Sequence, residues 1–234
     1  MPGITSRKRA AGSETGAGRP FVSGIILAAG LSRRMGSPKQ LLRLGERTLL
    51  EAAIGPAVAS NLDEVLVVLG HRAEEISSSL EGMDSRGFRT LVAAGYQGGL
   101  KHSIRAGLAA TSPRSQAAAI LLGDQPKIET SLIDRVLATW AGERSRILRP
   151  LYSSPGYDPI PGHPLILARS IWPEFVTLEG EGGVRDLIQL HPDWLEVIPI
   201  EGKAPLDIDT PADHARMERL LKNRESASIE IERT

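Results

Sequence analysis

The stretch FVSGIILAAGLSRRMGSPKQLL, residues 21–42, decides the architecture. Its first eight residues form a short apolar run, the pattern of a strand buried on both faces of a parallel sheet. A glycine-bearing loop follows at 29–39. Ligands of open α/β sheets bind beyond the carboxyl ends of the strands, so this loop stands where a ligand would sit. The small residues Ala28, Ala29 and Gly30 let the main chain come close, and their N–H groups can point at phosphate oxygens. Arg34 and Lys39 bring two cations into the same loop. A triphosphate substituted at its α-phosphorus needs such cations, because charge builds on the α-phosphoryl oxygens and on the departing pyrophosphate. Two other phosphate loops do not fit. Gly36 is followed by Ser-Pro-Lys, which breaks the P-loop spacing, and the chain has no Gly-x-Gly-x-x-Gly.

Working outward, the spacing predicts a helix over 46–59, a strand over 64–69, a polar helix over 72–80 and a strand over 88–93. A helix over 100–110 and a strand over 117–122 come next. A helix over 131–140 is expected to be capped by Thr130 or Ser131. The proline-rich segment 150–164 excludes helix and predicts extended or looping chain. A strand over 165–168, a helix over 184–190, strands over 195–200 and 205–208, and a helix over 211–222 starting at Thr210-Pro211 complete the reading. Strands alternating with helices through residue 140 imply βαβ units with right-handed crossovers. The expected fold is therefore α/β: a Rossmann-like three-layer sandwich around a mostly parallel sheet. Residues 21–222 form one expected domain, with a nucleotide-binding half at 21–140 and an acceptor-binding half at 141–222. Residues 1–20 read as a disordered tail and 223–234 as a flexible one.

Bulk properties narrow the function. Lys plus Arg and Asp plus Glu are 28 each, so no global basic field exists to attract nucleic acid or an anionic membrane. Phosphate binding must be local. Cysteine is absent, which excludes disulfides, thiolate zinc sites and thiol catalysis. No apolar run approaches the roughly 18 residues of a membrane span, and the N-terminal residues lack the apolar core of a secretory signal. A cytoplasmic location is expected.

Candidate metal ligands come from two later segments. Asp124 ends the 117–122 strand within Gly123-Asp124-Gln125-Pro126 and would face the same crevice as the loop. Magnesium favours one or two carboxylates together with phosphate oxygens and water. Asp207 and Asp209 flank Ile208 at the end of an expected strand, where residues two apart share a face. Like charges so placed repel unless a cation lies between them. A turn aspartate at 124, and Asp209 as the cap of the last helix, are the plainer alternatives.

The loop resembles the signature L-A-A-G-x-S-x-R-M-G-x-P-K of the MobA-like nucleotidyltransferases, and is most similar to their molybdenum cofactor cytidylyltransferase (MocA-like) branch. Gly123-Asp124-Gln125-Pro126 resembles that family's metal motif, and Asp207-Ile208-Asp209-Thr210-Pro211 its D-[IV]-D-T-P. GGLKHSIRAGL at 98–108 resembles G-[ML]-S-S-S-L-R-A-G-L, with Lys101 and His102 where serines are usual and Ser103 and Arg105 retained. Gly162-His163-Pro164 resembles G-[HN]-P. Residues 179–186 resemble G-D-x-G-A-R, with Glu181 in place of the aspartate and Arg185 retained.

The resemblance implies the nucleotide-diphospho-sugar transferase-like fold. It implies that Leu27, Ala28, Ala29, Gly30, Ser32, Gly99 and Ser103 line the nucleotide. Arg34 and Lys39 would be its catalytic cations, and Asp124, Asp207 and Asp209 would hold Mg2+, or alternatively Mn2+. His163, Glu181 and Arg185 would face a phosphorylated acceptor. It implies CTP as donor, molybdopterin or molybdenum cofactor as acceptor, and a molybdenum hydroxylase as a downstream partner. Two alternatives stand beside it: transfer to a sugar 1-phosphate, phospholactate or isoprenoid precursor, and a non-catalytic maturation chaperone for molybdenum hydroxylases. A nicotinamide oxidoreductase is disfavoured by the missing Gly-x-Gly-x-x-Gly.

Overall fold

The computed structural model describes residues 19–83, 87–180 and 182–231, with the backbone alone for 143 and 223–231. In chain order the strands are β1 (Val22–Ala28), β2 (Arg43–Leu44), β3 (Arg47–Thr48), β4 (Glu64–Leu69), β5 (Arg89–Val92), β6 (Ala117–Leu122), β7 (Ile147–Ser153), β8 (Ile160–Pro161), β9 (Leu165–Ala168) and β10 (Leu195–Glu201). The helices are α1 (Leu49–Ala59), α2 (Ala73–Ser79), α3 (Leu100–Ala110), α4 (Thr130–Thr139), α5 (Trp172–Thr177), α6 (Val184–Leu190) and α7 (Pro211–Ile231). Among the described residues, no helix is long and apolar enough to cross a membrane.

The main sheet runs β10-β7-β9-β6-β1-β4-β5, with β8 attached to β7. All seven residues of β1 are buried, as a doubly covered central strand requires. Their alternation splits the core. Ile26 and Ala28 face α1 and α4 through Leu50, Ile54, Ile133 and Val136. Ile25 and Leu27 face α3, α5 and α6 through Ile104, Leu108, Phe175 and Leu187. β1 is parallel to both β4 and β6. The chain moves outward from β1 to β4 and β5, then crosses back to place β6 on the other side. This reversal opens a crevice at the carboxyl ends of β1 and β6, the switch point where open α/β sheets bind ligands.

The sheet is mixed: β9 lies antiparallel to both β6 and β7. β7 carries Pro150, which lacks an N–H, yet the strand forms because β9 pairs only with Ile147 and Leu148 and leaves the position free. Four local expectations are corrected. The first helix starts at Leu49 because residues 43–48 form the β2–β3 hairpin, and Thr48 then closes a capping box with Glu51. Neither Thr130 nor Ser131 caps α4; the N-cap is Glu129, without a side-chain bond, and Thr130 Oγ1 donates to Pro56 O at 3.2 Å instead. Residues 205–208 form no strand. α7 continues past the expected end at 222 to Ile231.

Candidate active site

The loop after β1 is held by its own polar side chains. Ser32 adopts a left-handed conformation (φ 49°), which lets its carbonyl accept from Met35 N at 2.9 Å and its Oγ accept from Lys39 N at 3.1 Å. Gln40 is buried and donates through Nε2 to Ala28 O at 2.7 Å. The two ends of the loop are thus tied to the end of β1, and Lys39 is aimed back over the sheet.

Lys39 Nζ lies 2.5 Å from Asp124 Oδ2 and 2.8 Å from Asp209 Oδ1. Arg34 Nη2 lies 2.8 Å from Asp209 Oδ2. The side chains of Lys39 and Asp124 are 14% and 21% exposed and that of Arg34 is 66% exposed, so Lys39 lies at the floor of the crevice and Arg34 at its mouth. Burial works against the charge of Lys39, but Asp124 and Asp209 outweigh it and hold its pKa above the ordinary value. The hydrogen bond from Lys39 holds the Asp209 carboxyl below its usual range, with Arg34 adding to the effect against partial burial.

Asp209 reaches this position without a strand. Ile208 is fully buried against Leu44, Leu49 and Met217, and its N–H donates to Asp124 O at 3.1 Å. That bond lays the segment across the end of β6. Helix capping falls to Thr210 and Asp213, not to Asp209: Thr210 Oγ1 accepts from Asp213 N at 3.2 Å, and Asp213 Oδ2 accepts from Thr210 N at 2.9 Å. The Asp209 carboxylate is left for the cations.

A cleft of about 370 Å³ gathers most of the expected residues. Leu27, Ala28, Ala29, Gly30, Ser32, Arg34 and Lys39 line it from the β1 side. Gly99 and Ser103 line it from α3, and Asp124 and Asp209 from the opposite wall. Asp207 does not line it. Its Oδ1 accepts from Gln125 Nε2 at 2.6 Å, and burial, with Asp124 and Asp209 nearby, raises its pKa. His163 and Arg185 lie outside the cleft, and Glu181 lies outside the described residues.

The carboxylates suit a hard divalent ion. Asp124 Oδ1 is buried and has no hydrogen-bond partner. Among the described residues no group of three or more acidic or histidine side chains is ready to hold a metal. Two carboxylates completed by ligand oxygens is the pattern magnesium favours.

Sequence reasoning missed several residues. Gln40 was legible only as part of a run, and Gln125 only as the neighbour of Asp124. Lys101, in one of the serine positions, is buried; its Nζ donates to Leu178 O and, at 3.1 Å, to Gly180 O. Arg105 Nη2 also donates to Leu178 O, at 2.9 Å. These two side chains of α3 fix the 178–180 turn and do not line the cleft.

His163 keeps some exposed surface, but its imidazole is enclosed by protein. Burial, with Arg149 nearby, pushes its pKa from 6.5 to about 4. Between those values the unfolded chain binds a proton that the native state refuses, so stability is expected to fall as pH falls through that window. The loss is about 3 kcal/mol at most. Urea midpoints at pH 7 and pH 4.5 measure it, and His163→Gln should flatten the difference. An unchanged pH slope in the variant would refute this assignment.

A parallel-cored α/β sheet with a loop of small residues, two cations and two carboxylates at its switch point is the architecture of nucleotidyltransferases of the nucleotide-diphospho-sugar transferase fold. Residues 24–195 match the MobA-like NTP transferase domain, and the chain belongs to that family, in its MocA-like branch. Nicotine blue oxidoreductase of Paenarthrobacter nicotinovorans is 29% identical over 196 residues, covering 82% of this chain and 93% of that protein. The crystal structure of Rv0371c from Mycobacterium tuberculosis H37Rv superposes with a TM-score of 0.75 at 29% identity, over 86% of this chain and 99% of that one. Its homologue from Mycobacterium sp. strain JC1 gives 0.74 at 32% identity, over 86% and 97%. A further structure of Rv0371c, with a TM-score of 0.72 at 27% identity over 86% of this chain and all of that one, is a complex with manganese.

Proposed function

We propose that the chain transfers a nucleotidyl group from a nucleoside triphosphate to a phosphorylated acceptor and releases pyrophosphate, with CTP as donor and molybdopterin or molybdenum cofactor as acceptor. The observation that carries this reading is the Lys39 ammonium held between Asp124 and Asp209 at the floor of a cleft rimmed by Ala28, Ala29 and Gly30. The loop amides would bind the triphosphate, and Ser103 and Gly99 would lie along the nucleoside. An acceptor phosphate is already ionised at neutral pH, so no protein nucleophile or general base is required. Its oxygen forms a bond to the α-phosphorus, the bond from that phosphorus to the bridging oxygen breaks, and the electron pair leaves with pyrophosphate. Lys39 and Arg34 meet the charge that develops on both groups. Asp124 and Asp209 would hold magnesium or manganese, which when bound neutralises triphosphate oxygens. The manganese complex of Rv0371c supports a divalent ion in this branch.

The test incubates the purified full chain with each α-labelled nucleoside triphosphate, magnesium, and either molybdopterin or a panel of phosphorylated acceptors. Pyrophosphate release and label transfer are followed together. Transfer from CTP to molybdopterin is expected, and transfer to none of the acceptors from any triphosphate would sink the reading. Near full-length likeness to nicotine blue oxidoreductase favours one second reading, an oxidoreductase on the same scaffold. Reduced-nicotinamide oxidation without pyrophosphate release would decide for it.

A further inference from the structure

A second cavity, of about 640 Å³, opens between α3 and α5. It shares no lining residue with the nucleotide cleft. Ile104 and Leu108 of α3 are buried in the core layer. His102, Arg105, Ala106 and Ala109 follow the i, i+3, i+4, i+7 spacing of one helix face and line the cavity. Trp172, Pro173 and Val176 form the facing wall. The gap stays open because Ala106 and Ala109 stand where longer side chains would reach α5. The charge of the cavity has one sign. No aspartate or glutamate lines it, whereas Arg105 and Arg169 do. Arg105 is half-buried; its Nη2 donates to Leu178 O at 2.9 Å, and its Nε is buried with no acceptor. Arg169 lies over the Trp172 ring, with Cζ 5.0 Å from the centroid, and its Nη1 donates to Ser115 O at 2.9 Å. Those carbonyls hold both guanidiniums in place without neutralising them. Among the described residues neither is ion-paired with a carboxylate.

We propose that this cavity binds a small molecule with a compact apolar body and one anionic group. The apolar body leaves water against Ala106, Trp172 and Val176, and the anion gains charge-assisted hydrogen bonds from the arginines. The volume falls within the roughly 300–1,000 Å³ of small-molecule pockets. The α3 wall from His102 to Ala109 is about 10 Å long, at about 1.5 Å per residue. Two turns of helix offer far less surface than the roughly 800 Å² per partner of a stable protein interface, so a small ligand fits where a protein does not. The site stands apart from the nucleotide cleft and does not rest on the nucleotidyl-transfer reading.

The probes are anilinonaphthalene sulfonate and its uncharged counterpart phenylnaphthylamine, which both fluoresce on leaving water, titrated into the full chain. One sulfonate per chain is expected to bind at micromolar concentration, and the uncharged probe at least tenfold more weakly. Arg169→Gln should weaken the sulfonate several-fold and leave the uncharged probe unchanged. Ala109→Trp, at an exposed position of α3, should fill the cavity and abolish binding of both. Val176→Glu, at a residue 45% exposed, should weaken the sulfonate tenfold or more with the melting temperature kept. No saturable binding, an uncharged probe that binds as tightly as the sulfonate, or sulfonate binding that Ala109→Trp and Val176→Glu both leave unchanged overturns the proposal. A dimer in sedimentation that Val176→Glu dissociates also overturns it, because a second copy of the chain would then cover the cavity.

Discussion

Lys39→Ala is expected to slow pyrophosphate release at saturating triphosphate by about 10²- to 10³-fold, the cost of removing one preorganised group that meets developing charge. The residue sits at the centre of the network, 2.5 Å from Asp124 and 2.8 Å from Asp209. No other described cation reaches Asp124. Arg34 is tied to Asp209 at the exposed mouth and cannot substitute at the floor. The same substitution should have an opposite effect on metal affinity. In the protein without ligand the ammonium occupies the space between two carboxylates, so it competes there with any other cation. Removing it leaves like charges facing each other, an arrangement a divalent ion relieves. Manganese binding without nucleotide, read from the electron paramagnetic resonance signal of the free ion, should therefore tighten in Lys39→Ala while transfer is lost. A variant that keeps the parent rate removes Lys39 from the mechanism. A variant slow in transfer but unchanged in manganese affinity would keep its role on the triphosphate and refute its competition with metal.

The parts of this site that the sequence made legible share a cause: their geometry is local. Residues 21–42 state a buried strand, a turn of small residues and two cations within one segment, and position relative to the strand end follows from the fold class. Asp124 is legible for the same reason, two residues after β6. The sequence favours Asp209 over Asp207 only as the one nearer the end of an expected strand, and that strand is not formed. Their difference comes from a long-range bond, Ile208 N to Asp124 O, and from Thr210 and Asp213 taking over the helix cap. The antiparallel insertion of β9 is likewise not written locally; a four-residue apolar run pairs either way. Lys101 is the instructive case. It stands where a serine is usual in the family the chain resembles, but a long side chain on α3 can reach the 178–180 turn, and burial with two carbonyl acceptors fixes it there.

Asp124→Asn should abolish transfer with only a modest loss of stability, because it weakens the Lys39 ion pair while relieving a buried, unpaired carboxylate oxygen. The two effects separate because the two oxygens of Asp124 do different things. Oδ2 accepts from Lys39, whereas Oδ1 is buried and accepts from nothing. A buried acceptor left unpaired costs about 1–3 kcal/mol, more when charged, so Oδ1 is a liability in the ligand-free protein. The amide of asparagine keeps the size, presents its oxygen to Lys39 and turns its NH₂ toward the place where Oδ1 was. It relieves the buried charge and discards the one group on the sheet that stands ready for a divalent ion. A loss of about 10³-fold in transfer is expected, larger than a single hydrogen-bond donor supplies. The pH response gives an independent sign. Asp124 and Asp209 hold the Lys39 pKa above 10.5, so the network's stabilisation is fully present below that pH and is lost as pH rises through the higher native value. With Asp124 neutralised the native pKa of Lys39 should drop, and alkaline unfolding should begin at lower pH than in the parent. Melting curves at pH 7 and along an alkaline series measure both effects. A variant that melts well below the parent at neutral pH would mean that Asp124 is held for structure, and a variant that still transfers at the parent rate would remove the carboxylate from the chemistry.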